Sequence, residues 1–318
     1  MDLSEFQSLA DEIHTEIGSV VQGQKQLIDM LLLAVFARGH CLLEGPPGTA
    51  KTLVARCLAQ VIDLDFGRVQ FTPDLMPGDV LGVNLFNFET NEFRLTKGPI
   101  FTDILLADEI NRAPPKTQSA LLQAMNEREV TIDGTSYPLG ADFFIVATQN
   151  PIEQHGTYPL PEAQLDRFLF KLVVEFPDRQ SEIDILTHSA GLPLRSDGGR
   201  TNLRKVLGRK ALHAGHALVD SIRLDETILT YIVDLVRATR NDSEILHGAS
   251  TRAANEVAAA VRAKAALEGR DYAIPDDVQA LLLPALRHRL VLGPSAEIEG
   301  RTSDDVLTTI LNRTDAPR

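Results

Sequence analysis

Apolar residues recur at two different periods along this chain, and the change of period divides it. Through 5–17 the positions Leu9, Ile13 and Ile17, and through 24–36 the positions Leu27, Met30, Leu31 and Ala34, repeat at helical spacing and predict two helices. Beyond them, short runs rich in apolar residues, several interrupted by polar ones such as Thr102, Asp103 and Lys171, alternate with helical stretches. Cys41-Leu42-Leu43, 101–107 and 143–148 predict buried strands and 66–71 and 169–174 further strands, while 53–59 and 116–128 predict helices between them. Continuous apolar strands separated by helices are those of a parallel sheet covered on both faces, so the fold class is α/β. After Pro177 no strand-like run follows, and helices are predicted at 179–190, 203–217, 225–241, 251–268 and 275–289. The segment 191–202, with Pro193 and Gly198-Gly199, is predicted as a loop. The organisation is therefore an α/β domain over 1–176 followed by an all-helical domain over 177–318, without repeats or low-complexity tracts.

Two segments interrupt this alternation. Residues 72–99 are rich in Pro, Gly and Asn and hold two alternating runs, 83–88 and 92–95, joined by Glu89-Thr90-Asn91, which predicts a hairpin set into or beside a helix. Taken alone, that segment reads equally as a functional loop or as a peripheral hairpin. Residues 129–139 predict a second hairpin, with Asp133-Gly134 supplying the positive φ of its tight turn.

Composition narrows the setting. The 318 residues suffice for one large core and a smaller second domain. An apolar content of 44% and a charged content of 24% are those of a globular protein. No basic-then-apolar leader opens the sequence, and the longest apolar run, 30–37, is too short to span a bilayer, so a cytoplasmic protein without a membrane span is expected. Cys41 and Cys57 have neither metal-ligand nor disulfide spacing and are expected to be buried and reduced. A net charge of −13 argues against a broad footprint on duplex nucleic acid, though not against a narrow basic pore. Without Trp and with few aromatics, no base-stacking platform is evident.

The chemistry concentrates after the first strand. There the run Gly45, Pro46, Pro47, Gly48, Thr49, Ala50, Lys51, Thr52 links strand to helix, the context of a phosphate-binding loop. Its glycines let backbone N–H groups converge on an anion, the helix N-terminus adds its dipole, and Lys51 supplies a charge for the β- and γ-phosphates. Thr52 would place its hydroxyl on Mg²⁺. Ala50 departs from the strict pattern, which has Gly there: its methyl is harmless at helical φ/ψ and clashes at positive φ. The strand 101–107 runs into Asp108-Glu109, at the sheet edge where ligands sit in α/β folds. Asp108 can hold Mg²⁺ and Glu109 can polarise an attacking water.

Other candidates depend on company. Asn150, at the tip of the next strand and before Pro151, reads as a turn residue or as a contact to the γ-phosphate or the water. Val21, paired with Val20 in the bend upstream of the loop, reads as an interhelix turn or as a cover for an adenine ring. Arg167, beside Asp166, is too far along the sheet to be assumed near its own loop; it reads as a surface ion pair or as a side chain directed at a neighbour. Arg252 lies in the first turn of a helix capped by Ser250, where a cation opposes the dipole, and such breaches of local rules gather at functional sites.

Taken together these residues resemble an AAA+ ATPase, and within that superfamily the MoxR family, over nearly the whole chain. The resemblance rests on Gly45 to Thr52 as Walker A, 105–112 as Walker B, 147–151 as sensor 1, the run 159–168, and 248–253 as sensor 2. Ala50 before the lysine is frequent in that family. The resemblance implies a parallel five-stranded sheet of order 5-1-4-3-2 with a helical lid, and hexameric rings with ATP between subunits. Lys51 and Thr52 would bind phosphate and Mg²⁺, Asp108 Mg²⁺, Glu109 the lytic water and Asn150 the sensor 1 position. Arg252 would be sensor 2 and Arg167 the arginine finger on the adjacent subunit's ATP, with Arg112 as the other candidate for the finger. It further implies a helix-2 insert over about 73–99 and a pre-sensor-1 hairpin at 129–139, both facing the ring axis, and a pre-sensor-2 insertion at 191–202. ATP-driven remodelling or maturation of a client protein is implied, including metal-cofactor insertion, with a partner bearing a von Willebrand factor A domain. The alternatives are a nucleic-acid motor, a metal-chelatase motor subunit and a nucleotide-switched assembly scaffold. The acidic balance and the lack of Lys and Arg in 129–139 count against the first of these, and Glu109 against the last.

Overall fold

The computed structural model of the protein describes residues 1–151, 156–189 and 203–317; the loop expected at 191–202 lies outside them. Two helices open the chain, α1 (Leu3–Gly18) and α2 (Lys25–Phe36), followed by β1 (Cys41–Glu44), α3 (Lys51–Val61) and β2 (Phe66–Gln70). A short α4 (Pro77–Leu81) runs straight into the hairpin β3 (Gly82–Asn87) and β4 (Glu92–Lys97), and β5 (Ile104–Asp108) follows. Next come α5 (Pro115–Glu127), the hairpin β6 (Glu129–Ile132) and β7 (Thr135–Pro138), β8 (Phe144–Gln149), α6 (Glu162–Leu165) and β9 (Phe170–Val173). The remainder is α7 (Arg179–Ser189), α8 (Arg209–Ser221), α9 (Glu226–Asn241), β10 (Ile245–His247), α10 (Thr251–Leu267), α11 (Pro275–Leu286), β11 (Val291–Leu292), α12 (Pro294–Ile298) and α13 (Ser303–Arg313).

The main sheet is five-stranded, with order β2-β5-β8-β1-β9 and parallel pairing throughout. Counted along the sheet strands alone, this is the expected 5-1-4-3-2 order read from the other edge. Successive residues on each strand enter opposite layers, as the two-residue period requires. Cys41, Leu43, Ile104, Leu106, Phe144 and Val146 pack with α1, α2, α3 and the helices that follow the sheet. Leu42, Leu105, Ala107, Ile145 and Ala147 face α5, through Leu121, Leu122 and Met125, and the β6–β7 hairpin. The first layer is continuous: Phe6, Ile28 and Leu31 belong to the same apolar cluster as Leu235, Val257, Val261 and Leu281 of the later helices. Both cysteines are buried and free, and burial pushes the Cys41 thiol pKa up, so it is an inert core residue.

Several boundaries differ from the sequence expectation, each for a local reason. The strand expected over 101–107 begins at Ile104, because 98–102 is folded into turns by the bonds Phe101 N–H to Gly98 O and Thr102 N–H to Ile100 O. The helix expected at 203–217 is instead α8, starting at Arg209. Val206 and Leu207 donate their N–H groups to Val61 O, which ties them extended across the end of α3, and Gly208 is the N-cap. The part after Pro177 also contains the antiparallel pair β10–β11, too short to show a period, and the helix α13, started by a capping box of Thr302 and Asp305. No described helix is long and apolar enough to cross a membrane.

Candidate functional site

The loop after β1 is shaped by close approach. A Cβ on Gly45 would meet the backbone oxygen of Val174 at 2.2 Å, so only glycine fits between the ends of β1 and β9. Gly48 has φ +84°, and Ala50 has φ +62° and ψ 14°, in the left-handed region. The alanine thus sits where its methyl is unfavourable, at a cost of about 1–2 kcal/mol held by the surrounding structure. Ala50 is also the N-cap of α3 and offers no side-chain oxygen, so the first N–H groups of the helix are not taken by a cap. Lys51 Nζ folds back onto the loop, donating to Gly45 O at 2.8 Å, Pro46 O at 2.6 Å and Thr49 Oγ1 at 3.3 Å. Burial holds its pKa below the ordinary lysine value, and the facing Asp108 and Glu109 offset only part of that.

Opposite the loop, the tips of β5, β8 and β2 hold the two carboxylates. Thr148 is 1% exposed; its hydroxyl donates to Asp108 Oδ1 at 2.7 Å and accepts the Glu109 N–H at 2.9 Å. Arg68 closes on Asp108 Oδ2 at 2.7 Å and on Gln70 Oε1 at 2.6 Å. Glu109 has left-handed backbone, φ +58°, and its Oε2 accepts from both Gln70 Nε2 and Arg112 Nη1 at 2.9 Å. Loop and tips enclose a cavity of about 380 Å³ lined by Pro47 to Leu53, Arg68, Gln70, Asp108, Glu109 and Thr148 to Asn150. Gly48, Thr49, Ala50, Lys51, Thr52, Asp108, Glu109 and Asn150 are therefore brought together as the sequence suggested.

Sequence reasoning missed Arg68, Gln70 and Thr148. The signal existed in β2, where Arg68 and Gln70 are polar positions two apart, but it becomes legible only once the register pairs Gln70 with Asp108. Thr148 looked like one more strand residue.

Three candidates lie elsewhere. Val21 is buried in the core and does not line this cavity; Gly23 and Gln24 line another, of about 570 Å³, between α2, the end of β9 and α11. Arg167 and Arg252 lie at the opposite, amino-terminal edge of the sheet, where they share a cavity of about 200 Å³ with Arg38, Arg128 and His40, the residue preceding β1 by one. Arg167 donates to Leu122 O, and Arg252 to Asn126 Oδ1 at 2.9 Å and Glu256 Oε1 at 2.9 Å. Arg112 is paired with Glu109 of its own chain. Among the described residues no group of three or more His, Cys, Asp or Glu side chains is placed to hold a metal ion.

Comparison with known proteins agrees with this geometry. Residues 40–170 match the ATPase family associated with various cellular activities (AAA), and 237–310 match the AAA lid domain. Chaperone MoxR1 of Mycobacterium tuberculosis is 41% identical over 332 residues, covering 98% of this chain and 85% of that protein. Protein MoxR of Paracoccus denitrificans is 30% identical, over 93% and 92% of the two chains. The chain belongs to the MoxR family of AAA+ ATPases. YeaC of Bacillus subtilis, an uncharacterised protein, is 43% identical over 96% of this chain and 97% of its own. A solved structure from Cytophaga hutchinsonii superposes with a TM-score of 0.90 at 39% identity, covering 99% of this chain and 97% of that one. The sheet is therefore that of an AAA+ domain, and the later helices form its lid.

Proposed function

We propose that this MoxR-type protein hydrolyses MgATP at the loop cavity, with 1–176 as nucleotide-binding domain and 177–318 as lid, in a ring whose sites are shared between neighbours. The observation that carries this reading is the separation of the cations. Lys51 and Arg68 line the loop cavity, whereas Arg167 and Arg252 line a cavity at the other edge of the sheet. In a ring, that edge would face the next subunit's loop cavity and supply both arginines there, Arg167 as finger and Arg252 as sensor 2. The 570 Å³ cavity offers the adenine a place: its lining residue Val174 abuts Gly45, and Ala280 and Leu283 of the lid form its far wall. Nucleotide bound across it would join lid to sheet.

Thr52 and Asp108, a hydroxyl and a carboxylate on one cavity, are donors suited to Mg²⁺, which keeps water and phosphate oxygens as its other ligands. When bound, Mg²⁺ neutralises charge developing on the β- and γ-phosphate oxygens. Lys51 would exchange the carbonyls of Gly45 and Pro46 for phosphate oxygen, and Arg68 would leave Asp108. Glu109 would leave Gln70 and Arg112 to orient the attacking water, with Asn150 beside it. Positioning and charge stabilisation then carry the transfer, and an arginine finger is worth on the order of 10³–10⁵ in rate. The client would be a protein, engaged by the β3–β4 hairpin, whose tip exposes Phe86, Phe88 and Phe93. A von Willebrand factor A domain partner and metal-cofactor insertion belong to the same reading.

Glu109→Gln tests it. ATP binding, followed with a fluorescent analogue, should persist while phosphate release falls by at least about 10². Unchanged turnover would remove Glu109 from the mechanism.

A further inference from the structure

The lid reaches the amino-terminal edge of the sheet through one buried cation. Arg289 follows the end of α11 closely, and its side chain is 1% exposed. Its Nε donates to Asp166 Oδ1 at 2.9 Å, and its Nη2 to the backbone oxygens of Asp166 at 3.2 Å and Phe168 at 2.9 Å. Nη1 anchors the fork to Ala285 O at 2.7 Å within the lid. The neighbouring His288 also donates from Nε2 to Phe168 O, at 2.8 Å, and burial holds its pKa far below the ordinary value, so the ring is neutral. Asp166 and Phe168 are the residues on either side of Arg167. The lid thus grips the backbone that carries Arg167 from both sides.

A second arm of the same guanidinium reaches Arg252. Nη2 of Arg289 bonds Glu256 Oε2, while Glu256 Oε1 accepts from Arg252 Nε at 2.9 Å. One carboxylate is therefore shared by Arg289 and Arg252, and one guanidinium links that carboxylate to the Arg167 loop. We infer that Arg289 is a positioning residue that sets Arg167 and Arg252 in register with each other, so that movement of the lid moves both arginines as a unit. This rests on the shared-site reading above. Lysine would replace it only in part: an ammonium has no planar fork to span Asp166, Phe168 and Glu256 at once. Any ion pair could tie lid to core, but here the bonds converge on the residues flanking one arginine and on the partner of the other.

The test uses full-length Arg289→Met and Arg289→Lys, each mixed with full-length Glu109→Gln, which keeps its arginines but lacks its own catalytic carboxylate. Arg167→Ala mixed with Glu109→Gln is the control pair. Steady-state turnover is read with nucleotide affinity and with assembly by sedimentation. Arg289→Met alone should lose about 10- to 100-fold in turnover, the scale of a misplacement near 1 Å, with nucleotide affinity unchanged. Mixing should restore activity toward about a quarter of the wild-type rate, since that share of random interfaces joins an intact loop to intact arginines. Arg289→Lys should behave alike with a smaller loss. Full turnover by Arg289→Met alone overturns the inference. So does failure of both Arg289 variants to regain activity while the control pair regains it, and the shared-site reading then stands. If the control pair itself regains nothing, that reading fails and the inference falls with it.

Discussion

Replacing Thr148 by valine removes a hydroxyl and keeps the shape, in a position 1% exposed. Two bonds go with it: the one donated to Asp108 Oδ1 at 2.7 Å and the one accepted from the Glu109 N–H at 2.9 Å. The first ends on a charged group and is worth about 1.5–3 kcal/mol, and the second leaves a backbone donor unsatisfied at about 1–3 kcal/mol. Relaxation of the left-handed Glu109 backbone, φ +58°, returns part of the about 1–3 kcal/mol of strain held there. The net expectation is a loss of about 2–3 kcal/mol, read by urea unfolding with linear extrapolation. Because the same hydroxyl fixes both carboxylates, turnover should fall about 10-fold or more in the same variant, while Thr148→Ser, which keeps both bonds, retains most of it. Unfolding within about 0.5 kcal/mol of wild type together with wild-type turnover would refute the assignment of Thr148 as the joint between the two acids.

Ala50→Gly removes the methyl from a left-handed residue and should raise stability by about 1 kcal/mol, seen as a shift of the urea midpoint at unchanged slope. Buried His40 accepts the Ile145 N–H on Nδ1 at 3.0 Å and faces Met125 O with Nε2. Burial, with Arg128 and Arg252 nearby, lowers its pKa to about 4 against 6.5 unfolded. Between those values the unfolded chain binds the proton and the native chain does not, so stability is fully present above pH 6.5 and declines by about 3 kcal/mol as pH falls toward 4. His216 and His288, also lowered, act in the same direction. His40→Gln should flatten the slope of unfolding free energy over that window by about 1.4 kcal/mol per pH unit, whatever its effect at pH 7.

Most of the fold was legible because a parallel sheet writes itself as apolar runs, as in β1, β5 and β8, and in β9 with the single interruption of Lys171. What escaped was decided by long-range contacts. Nothing in 203–208 forbids a helix; the carbonyl of Val61 makes those residues extended by taking their N–H groups. The loop and the acids were legible from local order, since strand, glycine turn and lysine follow one another directly. Arg68, Gln70 and Thr148 were not, because each acts on a carboxylate about 40 positions away across the sheet. The sequence left the backbone of Ala50 open, and the structure answers with positive φ, so the residue is tolerated at a cost and not because it is helical. Arg167 was read as remote from its own loop, and it lies at the sheet's other edge; Arg252 carried no such warning. Its place beside Arg167 follows from how α10 packs, which periodicity does not report.

The shared site is the central claim, and turnover against protein concentration tests it most directly. Mg²⁺-dependent ATP hydrolysis per subunit is measured over a wide dilution range for wild type, Arg167→Ala and Arg252→Ala, with nucleotide affinity measured in parallel. The account predicts that wild-type activity per subunit rises with concentration as rings form, and that both variants bind nucleotide normally yet stay low at every concentration. Activity independent of concentration and of both arginines would mean that each chain completes its own site, and the account would be wrong.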